Sequence, residues 1–254
     1  PAAVLIVRAR GEGADGWRLG LAGMLLLLCA SQVAVAVVNA LVSRLATARA
    51  LPKMDLSEGV PAAARTLVVV PTLLTSARAV DGMAEDLEVR FLGNRDGHIA
   101  FGLLTDLADA SLEVLPEDDA LERHAARRIA ELNDQYGPSF YLFHRKRRWN
   151  PGERVWMGYE RKRGKLADLN ALLRGRGDNR FSTIVGDTGT LRQVKYVITL
   201  DADTQLPRDA ARQLVGTISH PLNRARYDEQ EQRVTEGYGI LQPRVAASLP
   251  GADR

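Results

Sequence analysis

The sequence predicts an α/β fold, a doubly wound and mostly parallel sheet preceded by a transmembrane helix. Three observations carry this reading. Residues 19–43 hold no charged side chain. After residue 65, short β-branched runs alternate with helix-length amphipathic stretches. Several of those runs break off at polar residues, as buried parallel strands do where they leave a sheet. Repeated β-α-β units build parallel sheets with right-handed crossovers and helices on both faces.

Composition bounds the possibilities. The chain has 254 residues, 46% of them apolar, enough for one substantial core. Its single cysteine, Cys29, lies in an apolar run, which excludes a disulfide framework and a cysteine-based zinc site. The chain opens on Pro1 in mid-pattern and ends just past an apparent strand, so it reads as an excerpt of a longer polypeptide. The net charge of +3 is unevenly placed. Residues 144–165 hold nine Lys/Arg against two acids, a local +7, and the remainder sums to −4.

Taken in order, residues 1–18 form a flank and residues 19–43 a membrane span. The uncharged run is long enough to cross the ~30 Å hydrocarbon layer as a helix. Gln32 and Asn39, seven apart, fall on one face, where polar residues meet neighbouring helices rather than lipid. Arg8, Arg10 and Arg18 precede the run and Arg44, Arg49 and Lys53 follow it, so charge alone does not set its orientation. Residues 44–64 form a linker with two prolines and Gly59. Residues 65–254 form the α/β domain. Strands are expected at Thr66–Val70, His98–Leu104, Ser139–Phe143, Val194–Leu200 and Gly237–Pro243. Helices are expected at Ala77–Arg90, Glu117–Gln135, Gly164–Arg174 and, with Pro207 in its first turn, on to Ser219.

The chemistry concentrates where strands stop. Val194–Leu200 ends at Asp201-Ala-Asp203. In open α/β sheets ligands sit beyond the carboxyl ends of strands. Two carboxylates there suit a hard divalent cation, Mg²⁺ or Mn²⁺, whose shell the phosphates of a sugar nucleotide complete. The same residues also suit a plain turn that caps the following helix. Pro71-Thr72 and Thr105-Asp106 close two other strands, and the three ends are expected side by side. Asp106 is a candidate acceptor for a base or ribose, or a turn residue. Lys162, Arg163 and Lys165 flank Gly164 ahead of an apolar helix. Positive charge is needed beside a diphosphate leaving group, and a helix start adds to it; a solvated basic loop is the alternative. Trp149, Trp156 and Tyr159 interleave with the basic residues, a pattern also used for nucleic acid. The acidic pair and the membrane run do not belong to that picture, and no nucleic-acid partner is expected. His98, His124, His144 and His220 show no metal-ligand spacing, and Gly186-Asp-Thr-Gly189 reads as a loop.

These residues carry a resemblance. Val68-Val-Val-Pro-Thr72, Lys165-x-x-x-Leu-Asn170 and Asp201-Ala-Asp203 resemble the donor half of inverting, membrane-embedded glycosyltransferases of the cellulose-synthase kind, which have a GT-A fold. Ala167 stands where that family's lysine motif has glycine. Leu51–Pro61, Gly158–Lys165, Thr199–Pro207 and Glu236–Val245 are similar to cyclic β-1,2-glucan synthases, over essentially the whole chain. The resemblance implies UDP-glucose as donor, a glucan acceptor, a bacterial inner-membrane location with a cytoplasmic catalytic part, and the rest of a large parent polypeptide as partner. It implies metal binding by Asp201 and Asp203, leaving-group stabilisation by Lys165, and substrate contacts from Pro71, Thr72, Asp106, Lys162, Arg163, Lys165, Asn170 and Asp201. It places the general base and an acceptor-holding Arg-Trp motif beyond this stretch. A nucleotidyltransferase also uses paired aspartates and a metal, and a membrane-anchored binding or scaffold module would keep the fold without turnover.

Overall fold

The computed structural model describes residues 16–45, 50–177 and 179–243. The chain divides into two compact units, Pro1–Ala50 and Leu51–Arg254. The first contains helix α1 (Gly16–Leu45). Within it Gly20–Leu45 is a 26-residue segment whose most apolar 18-residue window has mean hydropathy 2.4 and uncovered side chains, long and apolar enough to cross a membrane. The expected basic flanks at Arg8, Arg10 and Arg49 lie outside the described residues.

The second unit is a layered α/β structure. Its elements in chain order are β1 (Thr66–Leu74), α2 (Ala77–Gly93), β2 (Ile99–Leu107), α3 (Asp118–Tyr136), β3 (Phe140–Arg145), β4 (Arg148–Asn150), β5 (Val155–Met157), α4 (Arg161–Leu173), β6 (Thr183–Val185), β7 (Tyr196–Thr199), α5 (Ala210–Ser219), β8 (Arg226–Asp228) and β9 (Arg233–Glu236). The main sheet has the order β6-β3-β2-β1-β7. β7, β1, β2 and β3 are parallel, and β6 is an antiparallel edge. Both faces are covered. On one, Val80, Ala84, Leu87 and Phe91 of α2, Ala125 and Ile129 of α3, and Ala211 and Val215 of α5 bury against Val68, Val70, Phe101 and Leu142. On the other, Leu169 and Leu173 of α4 pack with Phe181 and Leu191 on Leu67, Val69, Leu104 and Phe143. Buried on both faces, the central strands need apolar residues at every position, which is why they read as continuous runs.

Local signals explain several boundaries. α2 starts at Ser76, whose hydroxyl accepts from the Ala79 amide at 3.2 Å. α3 carries Asp118 and Asp119 in its first turn and stops at Gly137.

The structure corrects some expected bounds. β1 and β2 run on to Leu74 and Leu107, so Pro71-Thr72 and Thr105-Asp106 lie within paired strands. β3 extends to Arg145. α4 begins at Arg161, so Lys165 sits in its second turn rather than at its start. α5 begins at Ala210, leaving Pro207 in the turn before it. Gly237–Pro243 is not a strand. Gly237 adopts φ 70°, Ile240 is 87% exposed, and Tyr238 makes a single bridge to Arg224; an exposed run with no sheet neighbour has nothing to bury. Arg244 and Val245 of that motif lie outside the described residues. The edge strand β6 and the hairpins β4–β5 and β8–β9 were not expected, because three- and four-residue strands carry too little periodicity to read.

Candidate functional site

Strand order locates the site. The chain lays β1, β2 and β3 outward in one direction and then returns to place β7 on the other side of β1. The order reverses between β1 and β7, and a ligand crevice forms beyond the carboxyl ends of strands at such a switch point. The Leu200 amide still donates to the Val69 carbonyl at 3.0 Å. Beyond it the backbone turns, with the Thr204 amide donating to the Asp201 carbonyl at 3.0 Å. Asp201 and Asp203 occupy this turn and both are exposed.

The turn is held from behind by a residue that the sequence did not mark. Arg90, near the end of α2 and 7% exposed, donates to the Ala202 carbonyl at 2.7 Å and the Thr204 carbonyl at 3.1 Å. Burial pushes its guanidinium below the ordinary arginine range, while Asp86 opposes this. A cation spent on backbone carbonyls fixes the path of Asp201-Ala-Asp203 and leaves both carboxylates outward. In the sequence Arg90 looks like any basic residue in a helix's last turn.

The remaining site residues form two groups. The first is buried. Asp106, 1% exposed, accepts from Arg145 Nε at 2.8 Å and Nη2 at 3.1 Å, and pairs with Lys165 Nζ at 2.9 Å. Lys165, 3% exposed, also donates to the Thr72 carbonyl at 2.7 Å. Register brings these together: Thr72 pairs with Thr105, and Asp106 with Arg145. Arg145 continues to Asp168 at 2.6 Å, which takes Arg180 at 2.6 Å. Burial lowers the Lys165 ammonium below its usual value against the pull of Asp106. Arg145 is raised, because its bonds to Asp106 and Asp168 outweigh burial, the largest influence.

Two glycines make room for this group. A Cβ on Gly158 would stand 2.2 Å from Asp106 Oδ2, and one on Gly164 would stand 2.0 Å from the Tyr159 carbonyl oxygen. That same carbonyl accepts from Arg145 Nη2 at 3.1 Å. The Gly158–Lys165 motif is therefore a close-packed wrap around Asp106 and Arg145.

The second group is exposed. Lys162 Nζ forms an ion pair with Asp201, side chains 51% and 64% exposed. Arg163 pairs with Glu160. Asn170 is exposed on α4 and Pro71 half-buried on β1. The Thr72 hydroxyl donates to Met83 Sδ at 3.1 Å. The structure thus brings Asp201 to Lys162, and Thr72 and Asp106 to Lys165.

The donor set can be weighed against a divalent cation. Among the described residues no group of three or more His, Cys, Asp or Glu is placed to hold a metal. Two outward carboxylates on a braced turn fit a cation that keeps substrate oxygens as the rest of its shell. The Lys162–Asp201 pair would open to admit it, and exposed pairs of this kind are weak. The four histidines are engaged elsewhere. His98 meets the Val60 carbonyl at 2.6 Å, His124 meets Asp81 at 2.9 Å, and His144 meets the Thr105 hydroxyl at 2.8 Å. His220 accepts from the Leu222 amide at 3.2 Å.

A mostly parallel sheet wound on both faces, with a braced Asp-x-Asp turn at its switch point, defines a GT-A-like α/β unit. No protein-family model matches the chain. It is 44% identical over 230 residues to the cyclic beta-(1,2)-glucan synthase NdvB of Rhizobium meliloti (strain 1021), a match covering 89% of this chain. That identity supports the likeness to the cyclic β-(1,2)-glucan synthase family. The match spans 8% of the relative's length.

Proposed function

We propose that this chain carries the donor-binding part of a glycosyltransferase that moves glucose from UDP-glucose onto a growing β-1,2-glucan with inversion. The observation that carries the reading is the braced Asp201-Ala-Asp203 turn at the β1/β7 switch point, in a chain matching a glucan synthase. Asp201 and Asp203 would hold Mg²⁺ or Mn²⁺, which when bound supplies positive charge to the diphosphate. Lys162, released from Asp201, and Arg163 offer further charge to the leaving group. Lys165 acts from below: its ammonium ties Thr72 of β1 to Asp106 of β2 and sets the floor of the crevice.

In the reaction an acceptor hydroxyl oxygen bonds to the anomeric carbon from the face opposite the diphosphate. The bond from that carbon to the UDP oxygen breaks, its electron pair leaves with UDP, and the hydroxyl proton passes to a general base. The residues named so far are assigned the donor side. Residues 20–45 would cross the inner membrane, with residues 51–254 on the cytoplasmic side where nucleotide sugars are made.

The test is radiolabelled UDP-glucose with full-length protein, wild type and Asp203→Ala. Loss of a metal ligand removes several kcal/mol of charge stabilisation, so glucan formation should fall by at least about 100-fold. A chelator should stop the wild type. Wild-type rates in Asp203→Ala, or in chelator, would remove the metal role; label transferred with the uridine moiety would mark a nucleotidyltransferase.

A further inference from the structure

At the carboxyl end of β3 the chain forms a cleft that shares only Arg163 with the donor site. The β4–β5 hairpin pairs Trp149 with Trp156, ring centroids 5.8 Å apart. The hairpin is tied to the loop after β2 by reciprocal Ala110–Trp156 backbone bonds, both 2.9 Å. Beside it lies the Tyr159–Arg163 segment, and the two line an open groove of about 400 Å³. Trp149 is 48% exposed and Tyr159 54% exposed. Around these rings stand Glu153, Glu160, Arg161 and Arg163.

We infer that this cleft binds the glucan chain, with Trp149 and Tyr159 as its stacking platform. The inference rests on the glucan-synthase reading, since it names the sugar chain that reading requires. A pyranose presents patches of C–H on its faces and hydroxyls around its rim. Aromatic rings take the first, and carboxylates and guanidinium groups take the second. Around the rings Glu153 and Glu160 balance Arg161 and Arg163, within a 144–165 stretch that carries +7; the rings and paired rim favour a sugar, and the vesicle arm below tests for an anionic surface.

The backbone supplies an independent sign. Glu160 and Arg161 are consecutive non-glycine residues in the left-handed region, φ 51° and 47°. Such conformations cost free energy, and glycine would hold them more easily. Both residues line the cleft, and Arg161 pairs with Glu153 of the same lining at 2.9 Å and with Asp109 at 3.0 Å. The strain is retained where the side chains serve the cleft.

The experiment uses full-length protein in detergent and linear β-1,2-linked glucose oligosaccharides, followed by calorimetry and saturation-transfer NMR. Trp149→Ala and Tyr159→Ala should each weaken oligosaccharide binding by about tenfold, and Trp149→Tyr should recover part of it. Glu160→Gly with Arg161→Gly should also weaken binding while the unfolding midpoint stays or rises, which a purely structural role would not give. Unchanged affinity in both aromatic variants, or in the glycine pair, overturns the inference. So does binding of phosphatidylglycerol vesicles, competed by no oligosaccharide and lost in Trp149→Ala, which would mark a membrane contact. UDP–Mn²⁺ binding, measured in parallel, separates the two readings: its absence with oligosaccharide binding intact sinks the donor site alone.

Discussion

Lys162 and Lys165 stand three residues apart on α4 and live in opposite environments. The Lys165 side chain is 4% exposed and meets Asp106 and a strand carbonyl. The Lys162 side chain is 51% exposed and meets a single carboxylate, Asp201. A buried cation needs fixed partners, because desolvation costs several kcal/mol, and removing one partner strands the other. An exposed pair gains little and exchanges readily for water, metal or ligand. The buried group therefore supplies shape and the exposed group supplies exchangeable charge.

The largest expected effect lies in the buried group. Arg145→Met should lower stability by about 3–5 kcal/mol, since Asp106 and Asp168 both lose a buried partner. Denaturant unfolding in detergent measures it, and a loss below about 1 kcal/mol would erase the distinction drawn between the two groups.

Gly158→Ala comes next. The added methyl overlaps Asp106 and should cost about 1–3 kcal/mol, as overpacking does. Asp106→Ala should make the glycine change tolerable, so the double variant reads the contact directly.

The third prediction concerns pH. Burial, the first cause, depresses the His144 imidazole below its ordinary 6.5, outweighing Glu122, whose Oε2 lies 3.8 Å away. Below about pH 6.5 the unfolded chain takes up a proton that the folded chain refuses. Stability should therefore fall as pH drops from 6.5, by no more than about 1.4 kcal/mol per pH unit, and be indifferent to this group above it. His144→Gln should flatten the profile between pH 6.5 and 5; an unchanged slope would assign the loss elsewhere. Asp118 acts only lower: the bond from Arg147 overcomes burial to hold its carboxyl below 3.8, so its contribution is lost as pH falls under that value.

Lys162→Ala is the smallest. Stability should change by no more than about 1 kcal/mol, while Mn²⁺ binds more tightly because Asp201 is already free. Calorimetric Mn²⁺ titration checks it, and weaker binding would mean that Lys162 organises the site rather than occupies it.

The sequence by itself determined the wound α/β class, the long apolar helix and four parallel strands. These follow from periodicity and from apolar runs that stop at polar residues, both local properties of the chain. But it set Pro71-Thr72 and Thr105-Asp106 at strand ends, whereas both strands run on to Leu74 and Leu107. Only the tertiary structure decided which charges are buried. Lys162, Arg163 and Lys165 are alike as letters, yet of the three Lys165 reaches β1 and β2, where strand register has set Asp106 beside Arg145. Arg90 is silent in sequence because its partners, the carbonyls of Ala202 and Thr204, lie more than a hundred residues away. Gly158 and Gly164 could be quoted from a motif, but their reason is a carboxylate and a carbonyl packed where a methyl would stand. Local pattern records what a residue prefers. What surrounds a charge, and so what it can do, is set by elements that meet only when the sheet forms.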